Sequence, residues 1–386
     1  MRPALLLAAL SLRALAQTLP QASSSTPDTH LADQLFAQAH YLRAETLVKA
    51  ALRLNPTAPH TLVLASEIEW AFYHQDTSIA YAEKAVLEAD GSAETHTQLT
   101  NALGTRLMNS NAGTFEKISL ARRFKKEAER ALQLNPNDSD ALEDLAQYQW
   151  NAPGFVGGDK GHAQQLADHL FQVDPPRGAS LKASFLEPEK DPTHRFPAVE
   201  ALWRKAIAAR PTSYEAHIGL AEALIQASTA LEKTAPTVPD LHLAQAETEA
   251  KAALAIDPGR AAAYRQLAVI AATQHRWADL DALLKRARAA VPDDLAPAYH
   301  AARILFTQSD PSHPDPVQLT FAEQCLRAYV AQPAEGQEPS HAAAHWRLAL
   351  VLERLNRNPE AIHELKAALS LDPTFEPAKR DLKRMS

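Results

Sequence analysis

Cysteine is almost missing. Cys325 stands alone in 386 residues, which excludes an intrachain disulfide and any zinc site built on cysteine pairs. It sits in an apolar helical pattern, as a buried structural thiol would, and lies too far from the N-terminus to anchor a lipid. Glycine is scarce at 11 residues, and aromatic side chains supply only 6% of the chain. Runs rich in Val, Ile and Thr that would announce strands are missing. No apolar run reaches the roughly 20 residues of a bilayer-spanning helix. A basic excess is missing too: the net charge is −7, which weakens a nucleic-acid reading, because phosphate binding needs concentrated Lys and Arg. Neither a G-x-S-x-G elbow, an H-E-x-x-H pair nor a dinucleotide-binding glycine fingerprint occurs. No catalytic residue, metal or cofactor is therefore expected.

What the chain has instead is alanine and 26 prolines. Alanine favours helix and lets helices approach closely, whereas proline stops them. Many short helices with sharp ends are expected, and the length calls for several domains or a repeat array. At the N-terminus, Arg2 precedes an apolar stretch from Ala4 to Leu12, and Ala14-Leu15-Ala16 offers small residues for cleavage before Gln17. Residues 1–16 read as an export signal, although Arg13 interrupts the pattern and a frayed apolar helix on a cytoplasmic protein is the alternative. Cleavage would leave 37 basic against 46 acidic residues, a net charge of −9, behind a polar leader at 17–27.

One register recurs along the rest: small-x3-apolar-x2-small-x4-Pro. It fits Ala361, Leu365, Ala368 and Pro373, and again Ala44, Val48, Ala51 and Pro56. Further copies begin at Phe124, Ala163, Val199, Ala246, Leu280 and Phe321, and a ninth at Ser78 has Asp90 where proline would stand. Offsets of four and three put these side chains on one helical stripe that the proline closes. Several copies end in Asn-Pro or Asp-Pro, which suits a turn. An amphipathic segment precedes each copy, as with Tyr264, Leu267, Ala268 and Ala271, so the unit is a helical hairpin. The chain resembles the tetratricopeptide repeat family, whose 34-residue spacing is met between Pro56 and Asp90 and between Pro258 and Pro292. The resemblance covers Asp28 to Pro373 and implies a right-handed all-α solenoid of about nine hairpins. It divides the chain into an N-terminal array at 28–175, an irregular unit at 176–211, a C-terminal array at 212–373 and a basic capping helix at 374–386. Three prolines in the irregular unit predict a short first helix and a kink.

Long connections inside hairpins are the main departures: Asn109 to Lys117, Asn151 to Gly161, Glu187 to Pro197, Ser228 to Asp240 and Gln308 to Pro316. In a solenoid such insertions emerge along one edge. The glycine-bearing one, Pro153 to Lys160, lacks the spacing of a phosphate cradle, and Asp159 suits a helix N-cap instead. It is similar to loops in exported bacterial repeat proteins. His341 with His345, and His162 with His169, are spaced to share a face, but they read as satisfied or exposed histidines.

The resemblance also implies a partner site on the concave face lined by first helices. Projected onto that face are Asp33, Glu67, Trp70, Glu143, Gln147, Trp150, Glu222, Arg265, Tyr299, Arg303, Trp346 and Arg354, acidic toward the N-terminal half and basic toward the other. Aromatic residues beside charges suit a peptide groove; packing between repeats is the competing role. The reading is an exported adaptor, periplasmic or envelope-associated, that binds a protein or peptide segment. Its competitors are a small-ligand subunit of the TRAP-transporter accessory type, which a ligand-sized pocket would favour, and a helper in envelope assembly or polysaccharide export.

Overall fold

The computed structural model describes residues 29–109, 113–186, 192–234, 241–336 and 339–385. The expected signal and leader lie outside the described residues. Hairpins form in sequence order. The first four pair α1 (Thr29–Ala37) with α2 (Tyr41–Leu54), α3 (Pro59–Ala71) with α4 (Gln75–Glu88), α5 (Ala93–Asn109) with α6 (Thr114–Leu134), and α7 (Ser139–Asn151) with α8 (Lys160–Val173). The fifth and sixth pair α9 (Pro175–Ser184) with α10 (Pro192–Ala209) and α11 (Tyr214–Thr234) with α12 (His242–Ile256). The last three pair α13 (Ala261–Thr273) with α14 (Trp277–Ala290), α15 (Ala296–Gln308) with α16 (Pro316–Val330), and α17 (His341–Arg354) with α18 (Asn358–Leu371). A final helix, α19 (Glu376–Met385), packs on α18. No strand occurs among the described residues.

Every copy of the register falls on the second helix of a hairpin. Its small members, Ala44, Ala82, Ala128, Ala163, Ala206, Ala246 and Ala361, have no accessible surface. At two bulky members of the register, Phe124 and Trp203, the facing helix makes room with a glycine. A Cβ on Gly104 of α5 would stand 2.9 Å from the Phe124 ring, and one on Gly219 of α11 would stand 2.3 Å from the Trp203 ring. Bulk and void are therefore exchanged between neighbouring helices at constant volume.

The prolines end the second helices as expected. Before four of them, at Asn55, Asn135, Asp257 and Asp372, the residue is extended, because proline forbids it the helical region. Its Oδ1 then accepts the backbone N–H two residues on: Thr57 at 3.2 Å, Asn137 at 3.1 Å, Gly259 at 2.9 Å and Thr374 at 2.8 Å.

Four hairpins, the first, second, seventh and ninth, turn in three residues through a left-handed Ala39, Tyr73, His275 or Asn356. In each, the N–H of the following residue reaches back five positions, as from His40 to the Leu35 carbonyl at 2.8 Å. The other five carry the longer connections. Two of these are shorter than expected: α10 starts at Pro192, since proline is welcome in a first helical turn, and α11 runs on to Thr234. The fifth hairpin has a short first helix of 10 residues, yet α9 touches α7, α8, α10 and α11, so packing continues through it.

Three hairpins share a polar clip absent from the apolar register. His96, His217 and His345 on first helices place Nδ1 at 2.7, 2.6 and 2.7 Å from Glu127, Glu249 and Glu364 on their own second helices. In the first two, Nε2 also meets a carbonyl of the preceding turn, Asp90 at 2.9 Å and Pro211 at 3.0 Å.

The array also closes on itself. The turn between α1 and α2 docks against turns more than 200 residues away. His40, 5% exposed, places Nε2 3.2 Å from the Gly259 carbonyl and Nδ1 2.9 Å from Asp293 Oδ2. The Leu42 N–H donates to Glu335 Oε1 at 2.8 Å, and Arg43 stands 3.7 Å from Asp293. Asp293 raises the imidazole of His40 above its ordinary value, against burial and Arg43. Burial pushes the Glu335 carboxyl up to about 7, the nearby Asp293 and Asp294 adding to it and the Leu42 N–H and His40 opposing. Both groups are raised on docking, so both favour the docked state at low pH and withdraw that support as pH rises through their folded values. Hydrogen exchange at Gln38 to Arg43 should therefore accelerate between about pH 6 and about pH 8 beyond the intrinsic rate. His40→Ala should exchange fast at both, and an unchanged protection profile in that variant would show that the docking carries no weight.

Candidate functional site

The residues expected to form a partner-binding stripe lie on first helices, and their side chains divide into two groups. Trp70 is free to act: it is 40% exposed, donates Nε1 to Thr105 Oγ1 at 2.6 Å, and borders two cavities. The other expected anchors are corrections. Trp150 stacks on Phe185 of the next hairpin at 4.3 Å, with Lys160 over its other face. Trp346 donates to Asp381 of α19 at 2.8 Å and meets Phe375 edge-on, so it seals the end of the array. Tyr299 is buried, lies against Tyr329 and accepts from Arg347 Nε at 2.8 Å. Arg354 donates to the Phe306 and Ser309 carbonyls and so fixes the start of the α15–α16 connection.

The charged residues do face one another across the hairpins. At the N-terminal end, His60 bridges Glu94 at 2.5 Å and Asp33 at 3.2 Å. Arg177 of α9 pairs with Asp140 and donates to Glu143 at 3.0 Å, and Gln147 donates to Glu143 at 3.2 Å. Two carboxyls are left over. Burial pushes Glu67 up to about 8, with Asp140, Asp33 and Glu94 adding to it. Burial likewise holds Asp144 well above the carboxylate range, and its Oδ2 is buried without a hydrogen-bond partner.

Toward the C-terminal end the sign reverses. Arg265, His300 and Arg303 line a cavity of about 1280 Å³ that also touches Glu222 and Gln226, and Arg347 stands behind them. Burial pushes the His300 imidazole down to about 3, and the charges of Arg265, Arg303 and Arg347 add to it. Arg303 is lowered by burial and then by Arg347, and its Nε is buried without a partner. Among the described residues, none of these three arginines makes an ion pair within 4.0 Å.

A second cavity, of about 660 Å³, lies between α5, α6, α7 and the connection after α7. Leu107, Ile118, Ala121 and Phe124 wall it from α5 and α6, and Phe155 and Val156 from the loop after α7. Tyr148 holds that loop by donating to the Val156 carbonyl at 2.5 Å. Asp159 caps α8 by accepting the His162 N–H at 3.0 Å. The remaining histidines sit apart: His169 faces Asn137 Oδ1 at 2.9 Å, His345 is held by Glu364, and His341 lies against Tyr329. Cys325 is buried, which pushes its thiol up to about 12. Sequence reasoning missed Asp144, Arg347 and His300. Asp144 and His300 adjoin the projected Glu143 and Tyr299, and no local pattern marks their lack of partners.

Nine helical hairpins among the described residues, whose second helices carry a largely buried stripe at one register, decide the fold class. The chain is a tetratricopeptide-type α-solenoid. No protein-family model matches the sequence, and no curated protein does at a significant level. Solved structures are similar at low identity. A tetratricopeptide protein of Thermus thermophilus, TTC0263, is 17% identical over 51% of this chain and 97% of its own, with a TM-score of 0.43. Yeast Tom70 is 16% identical over 92% of this chain and 87% of its own, with a TM-score of 0.46. Human IFIT1, solved as a dimer with m7Gppp-AAAA, is 13% identical over 88% and 80%, with a TM-score of 0.41.

The acidic end of this solenoid makes a prediction. A carboxyl raised from 4.5 to about 8 supports the fold fully below its unfolded value and loses that support as pH rises toward 8. The melting temperature should therefore fall between about pH 6 and about pH 9, and Glu67→Gln should flatten the fall by about 2 °C or more. Parallel melting curves for the two proteins would mean that Glu67 ionises without cost.

Proposed function

We propose that the chain is a protein-interaction scaffold that holds an extended protein segment along its concave face, acidic residues of that segment against Arg265, Arg303 and Arg347. The observation that carries this reading is the convergence of those three arginines without a carboxylate partner. Guanidinium groups so placed repel one another and lose hydration, and a bound carboxylate relieves both costs. At the opposite end Glu67 and its neighbours favour basic residues, so the face reads a segment by the order of its charges as well as by shape. Trp70, on the same helix as Glu67, supplies an exposed aromatic contact at that end. No step of covalent chemistry is required.

The N-terminal segment adds export to this reading, with the mature chain starting at Gln17 in the periplasm or envelope. A small-ligand role of the transporter-accessory kind is the second reading, and the cavity of about 660 Å³ is the observation that favours it. The acidity of the chain as a whole speaks for protein over nucleic acid as the partner.

A glutamate-rich peptide titrated into the mature chain should bind, and the triple variant Arg265→Glu, Arg303→Glu, Arg347→Glu should lose at least about tenfold in affinity, as charged contacts of this kind carry. Glu67→Gln should leave that affinity unchanged. Equal binding to both proteins would remove the arginines from the site. Export is checked separately: N-terminal sequencing of the protein from its native cell should read from Gln17, and a chain starting at Met1 would refute it.

A further inference from the structure

The cavity between α5, α6, α7 and the loop after α7 is built by parts of the chain that the repeat does not need. Ile118 and Lys117 belong to the start of α6, and Phe155 and Val156 to the three-residue helical turn Gly154–Val156 inside the next inserted connection. Its volume, about 660 Å³, lies within the range of small-molecule sites and far exceeds what one lysine or arginine side chain would fill. Most of the wall is apolar. Phe155 stands 84% exposed at the mouth, a position that costs hydration and gains nothing within the chain itself.

One polar group in this wall is unexplained. Asp144 lines the cavity, and its Oδ2 is buried with no hydrogen-bond partner, although buried carboxyl oxygens are normally satisfied. Its neighbours Asp140 and Glu143 are both taken by Arg177, so Asp144 alone is left without a cation. Lys117, the cation in the wall, makes no ion pair with Asp144. Gln147, Asn101, Thr105 and Asn151 supply a polar rim.

We propose that this cavity binds a free small molecule consisting of an apolar body and a protonated amine, the body lying among Leu107, Ile118, Phe124 and Phe155 and the ammonium donating to Asp144. A body on the order of ten to twenty non-hydrogen atoms suits the volume. The ammonium supplies what the site lacks: a positive charge and hydrogen-bond donors at a buried acceptor among like charges. An anion would meet the acidic Asp144 with Asp140 and Glu143 close behind it, and a neutral ligand would leave the orphan acceptor poorly paired. The inference stands apart from the proposed groove function, since it uses none of the arginines on which that reading rests.

Phenethylamine, phenethyl alcohol and hydrocinnamate, titrated separately into the full mature chain and followed by ligand-observed NMR, test it. The amine should bind at least about tenfold more tightly than the alcohol, as a charge-assisted hydrogen bond carries, and the acid should not bind. Asp144→Asn should bring the amine down to the affinity of the alcohol while leaving the alcohol unchanged, which also shows that the cavity is still folded. Ile118→Trp, which fills the cavity from its lip, should abolish binding of both. Equal affinity for amine and alcohol in the native chain, or an amine affinity untouched by Asp144→Asn, overturns the proposal. So does binding of a lysine-containing, end-blocked peptide where phenethylamine fails, because the occupant would then be a partner's side chain.

Discussion

Close approach between helices at the small positions of each hairpin is the constraint on which the rest of the molecule depends. An alanine with no accessible surface contributes little area of its own, but it lets two backbones come near enough for the larger side chains beside it to interlock. The arrangement is local, since each hairpin contacts mainly its neighbours, and stability accumulates along the array. It also explains the substitutions within the register. Phe124 and Trp203 are admitted only because Gly104 and Gly219 face them. A methyl group added at either glycine would meet the ring, and the cost would be paid in the spacing of two hairpins.

The same constraint determines what is left free for function. With the second helices committed to the core and the register, the first helices keep one stripe that no neighbour covers. Even there, the demand for packing takes most of the aromatic side chains. Trp150, Tyr299 and Trp346 each find a ring partner on their own hairpin, the next one or the segment that ends the array, whereas Trp70 stays 40% exposed. Charge is less easily absorbed. Arg177 and His60 neutralise part of the acidic end, whereas among the described residues no carboxylate comes within ion-pair distance of Arg265 or Arg303. The uncompensated groups are therefore the better guide to a ligand than the aromatic ones, because a packed ring has a structural reason to exist and an orphan charge has none.

The number of hairpins, the ends of their second helices and the class of fold were legible in the sequence, since a helical stripe and a following proline are local signals. Asp159 as a cap and the extended residue before each proline were legible for the same reason. The roles of Trp150 and Trp346 were not, because Phe185 and Asp381 lie 35 residues away and no spacing rule joins them. The docking of His40 on Asp293 was further still from view: it depends on the accumulated rotation of six intervening hairpins. The cavity beside Asp144 escaped for a third reason. Its walls come from helices of two hairpins and from the connection after α7, and an insertion announces its length but not its direction.

The closure of the array bears on where the first hairpin connections stay short. The first two hairpins turn in three residues, through Ala39 and Tyr73 in a left-handed conformation that glycine would adopt at less cost. Their edge is the one that meets the far turns: Tyr41 and Ala71 border the same small cavity as Glu335 and Gly336. A longer connection there would stand between the two surfaces. The third and fourth hairpins lie beyond that contact, and both carry insertions, which is where the ligand-sized cavity is built. In its first four hairpins, then, the chain keeps its turns short where it touches itself and lengthens them next to the cavity.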